Sequence, residues 1–284
     1  MILWIASYPK SGNTWLRTLI SSYYYSDNGV YSDNVINKIG QFPEKRHFTE
    51  FEYNQNIITD TSRFWLKAQQ KINQDRKLRF FKTHNAFGEL NNQKFTNKEN
   101  SIGCIYIVRD PRNVITSLKN HYEMNDEQAF KWMTNENKFI YDVQNFDKDG
   151  YSDFQFISSW ETNYNSWTVQ KQIPIKLVKY ESLLKETYIV FRDIVDFINK
   201  LTGINKQIDK ERLKNSVQTT SFNKLKNNEE KYGFSEAVLS QKTNKKIPFF
   251  FLGPENDWRK ILSDDLKIKL NKIYEKKLAE LSYI

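Results

Sequence analysis

"IASYPKSGNTWLRTLI", residues 5–20, decides the fold. An apolar strand over residues 2–6 runs into a short polar turn, and an amphipathic stretch over 15–25 leaves it with helical spacing. Gly12 permits the tight turn that joins the two. The backbone amides of such a turn, with a helix N-terminus behind them, converge on one spot and favour an anion. Lys10 adds a mobile positive charge, and Ser11, Asn13 and Thr14 add hydrogen-bond donors. The nucleoside triphosphate loop reads GxxxxGK followed by Ser or Thr. Here the lysine precedes the glycine and the first glycine is missing, which argues against a magnesium-triphosphate site.

Outside this stretch the strand-then-helix pattern repeats. "LRFFKT" (78–83), "IGCIYIVRD" (102–110) and "IKLVKYESL" (175–183) read as further buried strands. Pro111 suits the first turn of a helix over 111–122, Gly203 stops one over 190–201, and the stretch 264–281 carries acids first and lysines later, matching the helix dipole. The alternation predicts an α/β fold, a single domain over 1–284 with a central parallel sheet flanked by helices, and with the phosphate-binding turn at its first strand the expectation is the P-loop-containing nucleotide-binding type. No Pro/Gly/Ser-rich linker divides the chain. In such a sheet ligands sit beyond the carboxyl ends of the strands. The polar, asparagine-rich residues 26–77 and 123–156 either wall an acceptor site at that edge or form mobile surface.

Composition narrows the function. The 284 residues include 7 Trp, 16 Tyr and 20 Phe, ample for a core and unlike a disordered chain. A formal charge of +9 suits an anionic ligand, but the lysines are scattered among 34 carboxylates, so no nucleic-acid partner is expected. Cys104 is the single cysteine, which excludes an intramolecular disulfide and a cysteine-built zinc site. The opening "MILWIASYPK" lacks the basic start of a signal peptide, and no apolar run approaches the ~20 residues that span a bilayer. A cytoplasmic protein with no membrane partner is the expectation, with its oligomeric state open.

Other positions carry chemistry. His84 ends a buried strand in "FFKTHNAF" (80–87), where an imidazole can take a proton near neutral pH. Arg109 ends another and can make a paired hydrogen bond to phosphate. Ser117 lies eight residues further on, so the two meet only by converging across the turn that starts the helix.

These blocks carry a family resemblance. "YPKSGNTW" (8–15) resembles the 5′-phosphosulfate loop of the cytosolic sulfotransferase family, usually YPKSGTTW, with Asn13 in place of threonine. "FFKTHNAF" resembles its Lys-Thr/Ser-His strand, and "YIVRDPRNVITSLKNHY" (106–122) its 3′-phosphate block. "LVKYESL" (177–183) resembles the strand ending in a nucleotide-contacting tyrosine, and "VQTTSFNKLKNN" (217–228) the segment that closes over the adenine. The resemblance implies a sulfotransferase that uses 3′-phosphoadenosine 5′-phosphosulfate and needs no metal. Lys10, Lys82 and His84 would be catalytic. Lys10, Ser11, Gly12, Asn13, Thr14, Trp15, Arg109, Ser117, Tyr180, Thr220, Phe222 and Gly253 would bind the donor, with Trp15 and Phe222 sandwiching the base. The acceptor would be a small molecule or glycan offering a hydroxyl or amine. The last block departs from the pattern. In "FFFLGPENDWRKIL" (249–262) Gly253, Asp257 and Trp258 align, but Phe251 and Leu252 stand where Arg and Lys are usual. Lys245, Lys246, Arg259 and Lys260 are the nearby cations that could replace them. A kinase-like enzyme using a nucleoside triphosphate and a non-catalytic nucleotide-binding module are the alternatives.

Overall fold

The computed structural model describes residues 1–203, 207–240 and 242–284. Four parallel strands form its central sheet: β1 (Ile2–Ala6), β2 (Arg79–Thr83), β3 (Ser101–Val108) and β4 (Ile175–Lys179), in the order β2-β1-β3-β4. Every residue of β1 is buried, as a continuous apolar run requires when helices cover both faces. Side chains alternate across the strand. Ile2, Trp4 and Ala6 join one core cluster with Phe42, Phe95 and Trp167. Leu3 and Ile5 join the other, with Leu16, Leu19, Ile107 and Ile194. Each Leu, Ile or Phe among them, fully buried, contributes about 1.5–3 kcal/mol against its exposed state.

Register brings the strand ends to one edge. Ala6 pairs with Thr83 on one side and Tyr106 on the other, and Val108 pairs with Lys179. The helix Asn13–Tyr25 leaves β1 through the glycine turn. After β3, Asp110 caps the helix Pro111–His121 by accepting from the Arg112 amide at 2.9 Å, with Pro111 in the first turn. Gly203 closes the helix Thr187–Thr202 in the left-handed conformation, as expected, and the helix Asp264–Glu280 spans nearly the stretch read for it.

Two expectations change. The strand read over 175–183 stops at Lys179, and Tyr180 opens the helix Tyr180–Lys185. Tyr180 and Leu183, three apart, are both buried, which is helical spacing rather than strand alternation. The mobile-surface reading of 26–77 and 123–156 also fails. Phe42, Phe48, Trp65, Met133 and Phe154 from these segments are at most 1% exposed. The helices Trp65–Ile72 and Asp126–Thr134 form within them. No described helix is long and apolar enough to cross a membrane.

Candidate active site

A cleft of about 2370 Å³ opens at the carboxyl edge of the sheet. The glycine turn forms its floor. Gly12 has φ 101°, and a Cβ there would stand 2.6 Å from the Tyr180 ring, so both backbone angle and space demand glycine. Lys10 also sits in the left-handed region, at φ 64°. Asn13 secures the turn: its side-chain amide donates to the Ile5 carbonyl at 2.9 Å and to Ser7 Oγ at 3.2 Å. That amide faces back toward β1 and is already used. Thr14 Oγ1 donates to Glu236 Oε2 at 2.7 Å.

β2 supplies Lys82, and His84 directly follows its last residue, two positions on and so on the same side of the extended chain. The His84 ring is fixed by Nδ1, 2.8 Å from the Ser7 carbonyl oxygen. A carbonyl only accepts, so Nδ1 carries the proton and Nε2 keeps its lone pair. Gln155 Oε1 accepts from the His84 amide at 2.7 Å, and the Asn163 side chain donates to its carbonyl at 2.9 Å. Burial, reinforced by the nearby Lys82 charge, pulls the imidazole from 6.5 down to about 3, so in the free protein it is neutral at physiological pH and, against expectation, does not take a proton near neutrality.

The other end of the cleft holds Arg109. It is buried, with its guanidinium 4.2 Å from the centre of the Tyr180 ring and Nη1 3.4 Å from Ser117 Oγ. The pair thus converges across the helix-starting turn as the sequence required. Arg109 Nε has no partner, an orphaned donor in a buried cation that fits an incoming phosphate. Lys10 Nζ lies 4.1 Å over the Phe249 ring. Burial pulls Lys10 from 10.5 down to about 7; Glu236 counters this, while Lys82 and Arg109 add to it. Such a lysine favours a ligand that brings negative charge.

Trp15 and Phe222 both line the cleft. Trp15 Nε1 donates to the Thr220 carbonyl at 2.9 Å, and a Cβ on Gly253 would meet the Phe222 ring at 2.2 Å. All the sequence-derived site residues line this cleft except Ser11 and Thr220. Both of these are buried, and Thr220 Oγ1 is spent on the Ser216 carbonyl at 2.8 Å. Thr220 serves through its carbonyl, by anchoring Trp15. Lys245, Lys246, Arg259 and Lys260 do not line the cleft, and Arg259 and Lys260 face Asp257 at 3.6 and 3.9 Å. Near Ser117 stands instead Asn256, whose side chain donates to Ser117 Oγ at 3.2 Å.

The profile of the Sulfotransferase domain family matches residues 2–282. The chain belongs to the sulfotransferase family. The luciferin sulfotransferase of Photinus pyralis is 24% identical over 290 residues, covering 99% of this chain and 72% of that one. Human sulfotransferase 1E1 is 25% identical over 280 residues, covering 97% and 83%. Among solved structures, a retinol dehydratase in complex with androsterone and the inactive cofactor PAP superposes with a TM-score of 0.58 at 17% identity, covering 98% of this chain and 80% of that one. This sulfotransferase carries two cleft residues that the sequence reading missed. Arg17 stands three residues after Thr14 on the same helix, a spacing that could have flagged it. It is buried and paired with Glu236. Glu236, in "YGFSEAVLSQ", carries no local signal of its role.

Proposed function

We propose that this sulfotransferase, acting as one domain over residues 1–284, moves a sulfuryl group from 3′-phosphoadenosine 5′-phosphosulfate to a hydroxyl or amine of a small-molecule or glycan acceptor. The observation that carries the reading is the meeting of the glycine turn, Lys82, His84 and Arg109 at one sheet edge. The acceptor oxygen or nitrogen attacks sulfur in line, and the bond from sulfur to the 5′-phosphate oxygen breaks. His84 Nε2, the free nitrogen of a ring locked by Ser7, takes the acceptor's proton. Lys10 and the amides of the turn stabilise the charge that builds on the departing phosphate oxygen. Lys82 orients the sulfonate. Arg109 and Ser117 hold the 3′-phosphate, and Trp15 and Phe222 flank the adenine. Adenosine 3′,5′-bisphosphate leaves. The absence of a membrane-crossing helix among the described residues fits a cytoplasmic setting.

The test is transfer of radiolabelled sulfate from the donor into a cell extract, with isolation of the labelled product. Thermal stabilisation by adenosine 3′,5′-bisphosphate, ATP and AMP is compared in parallel. Labelled product together with selective stabilisation by the bisphosphate supports the reading. Selective stabilisation by ATP overturns it in favour of a triphosphate-using enzyme.

A further inference from the structure

Glu236 touches Lys82, which the proposed function assigns to the sulfonate, and Thr14, which the family resemblance assigns to the donor. Its Oε2 accepts from Thr14 Oγ1 at 2.7 Å, and its Oε1 lies 3.3 Å from Lys82 Nζ and is paired with Arg17. These groups come from two elements, Thr14 and Arg17 from the helix Asn13–Tyr25 and Lys82 from β2, and they meet on one carboxylate. Burial alone would raise the Glu236 carboxyl, but Lys82 and Arg17, with the hydrogen bonds from Thr14 and Arg17, hold it well below the usual carboxylate range. It is an anion held by a site built for anions.

Two anions cannot share that set. The Thr14 hydroxyl has one proton to donate, and like charges brought together in a desolvated cleft repel. Glu236 belongs to none of the helices or strands: it follows the helix Phe222–Tyr232 and precedes the isolated bridge between Leu239 and Lys246. Phe234, two residues before it, packs against Phe249 and Phe250 at 5.0 and 5.2 Å between ring centres. The carboxylate is therefore carried on an irregular segment outside the central sheet, tethered beside it by Phe234.

We propose that Glu236 is an internal competitor for the 5′ end of the donor and thereby a specificity-determining residue. This rests on the donor reading above. A ligand with charge at its 5′ end must displace the carboxylate, whereas a ligand charged only at the 3′ position binds with Glu236 in place. The apparent affinity for 5′-charged ligands is then reduced by the fraction of molecules in which Glu236 has withdrawn.

Calorimetric titration of wild type, Glu236→Gln and Glu236→Ala with adenosine 3′,5′-bisphosphate and with adenosine 3′-phosphate tests this. The expected result is bisphosphate binding tighter by about tenfold or more in both variants, with adenosine 3′-phosphate changed by less than about threefold. Equal or weaker bisphosphate binding in a folded variant overturns the proposal and leaves Glu236 a structural partner of Lys82 and Arg17. Equal tightening of both ligands overturns the assignment to the 5′ end. If no protein binds the bisphosphate, the donor reading falls and the competitor with it. If all bind it alike, the donor reading stands and the competitor alone falls. Should both variants fail to fold, hydrogen exchange on the wild type decides. Amides 235–239 must lose protection on saturation with bisphosphate, and unchanged or increased protection overturns the proposal.

Discussion

Replacing Gly12 by alanine perturbs the site with one methyl group. The backbone there stands at φ 101°, where an L side chain is strained by roughly 1–2 kcal/mol. The new Cβ would lie 2.6 Å from Tyr180 Cδ2, 3.1 Å from Cε2 and 3.3 Å from Ile107 Cδ1. Overpacking of that kind adds roughly 1–3 kcal/mol, so the predicted loss is about 2–5 kcal/mol in total. The Tyr180 ring cannot shift quietly, because the Arg109 guanidinium lies 4.2 Å from its centre. A displaced ring therefore moves the cation assigned to the 3′-phosphate, and bisphosphate affinity should fall with stability. Urea denaturation gives the first quantity and calorimetric titration the second. Tyr180→Leu removes the ring edge that the methyl strikes. The double variant should therefore be more stable than the sum of the single losses predicts, by at least about 0.5 kcal/mol. A loss below about 1 kcal/mol with unchanged binding, or a strictly additive cycle, refutes the steric argument.

Four further predictions follow from the cleft. His84→Ala should lower turnover by about 10²–10⁴-fold at saturating donor while bisphosphate affinity holds; near-normal turnover removes His84 as the base. Because the His84 pKa is lowered to about 3, the basic form persists on acidification, and the acid limb of the kcat/KM profile should lie far below 6.5; a limb at 6.5 contradicts this environment. Lys10, near 7 in the free protein among Glu236, Lys82, Arg109 and Glu229, should be charged when a phosphate is bound. The deprotonated fraction grows above pH 7, so bisphosphate binding should weaken as pH rises and take up a proton; titrations in buffers of different ionisation enthalpy read this, and pH-independent binding with no uptake rejects it. Arg109→Ala should erase most of the preference for adenosine 3′,5′-bisphosphate over adenosine 5′-phosphate, by roughly 10–100-fold for a charged hydrogen-bonded contact; a preference that survives assigns the 3′-phosphate to another group.

What could be read from the sequence was local. The turn, Lys10, Gly12 and the start of the following helix are contiguous in the chain, and Lys82 and His84, two residues apart at the end of β2, fall on one side by simple alternation. Arg109 and Ser117 were harder, since only the capped turn at Asp110 brings them together. The apolar strand of 175–179 runs straight into Tyr180 with no Gly or Pro to mark its end, whereas the burial of Tyr180 and Leu183 follows a helix. Thr220 and Ser11 matched a motif by letter, yet burial turns Thr220 onto its own helix and takes Ser11 out of the cleft. Glu236 was invisible, because its meaning lies in partners as far as 222 residues away in the chain.

Those separations have a kinetic meaning. Ser7 and His84 are 77 residues apart in sequence and Lys10 and Arg109 are 99 apart, yet each pair meets at the edge of the same sheet. Long loops must close before such contacts give anything back, and parallel strands pair slowly for that reason. The Ser7 contact that locks the imidazole needs β1 beside β2, and the Arg109 hydrogen bond to the Lys10 carbonyl needs β3 beside β1, so both depend on the order β2-β1-β3. Ligand capture then reports the whole topology, and any ligand that binds here draws its stabilisation from the folded chain at once, in proportion to the logarithm of its concentration.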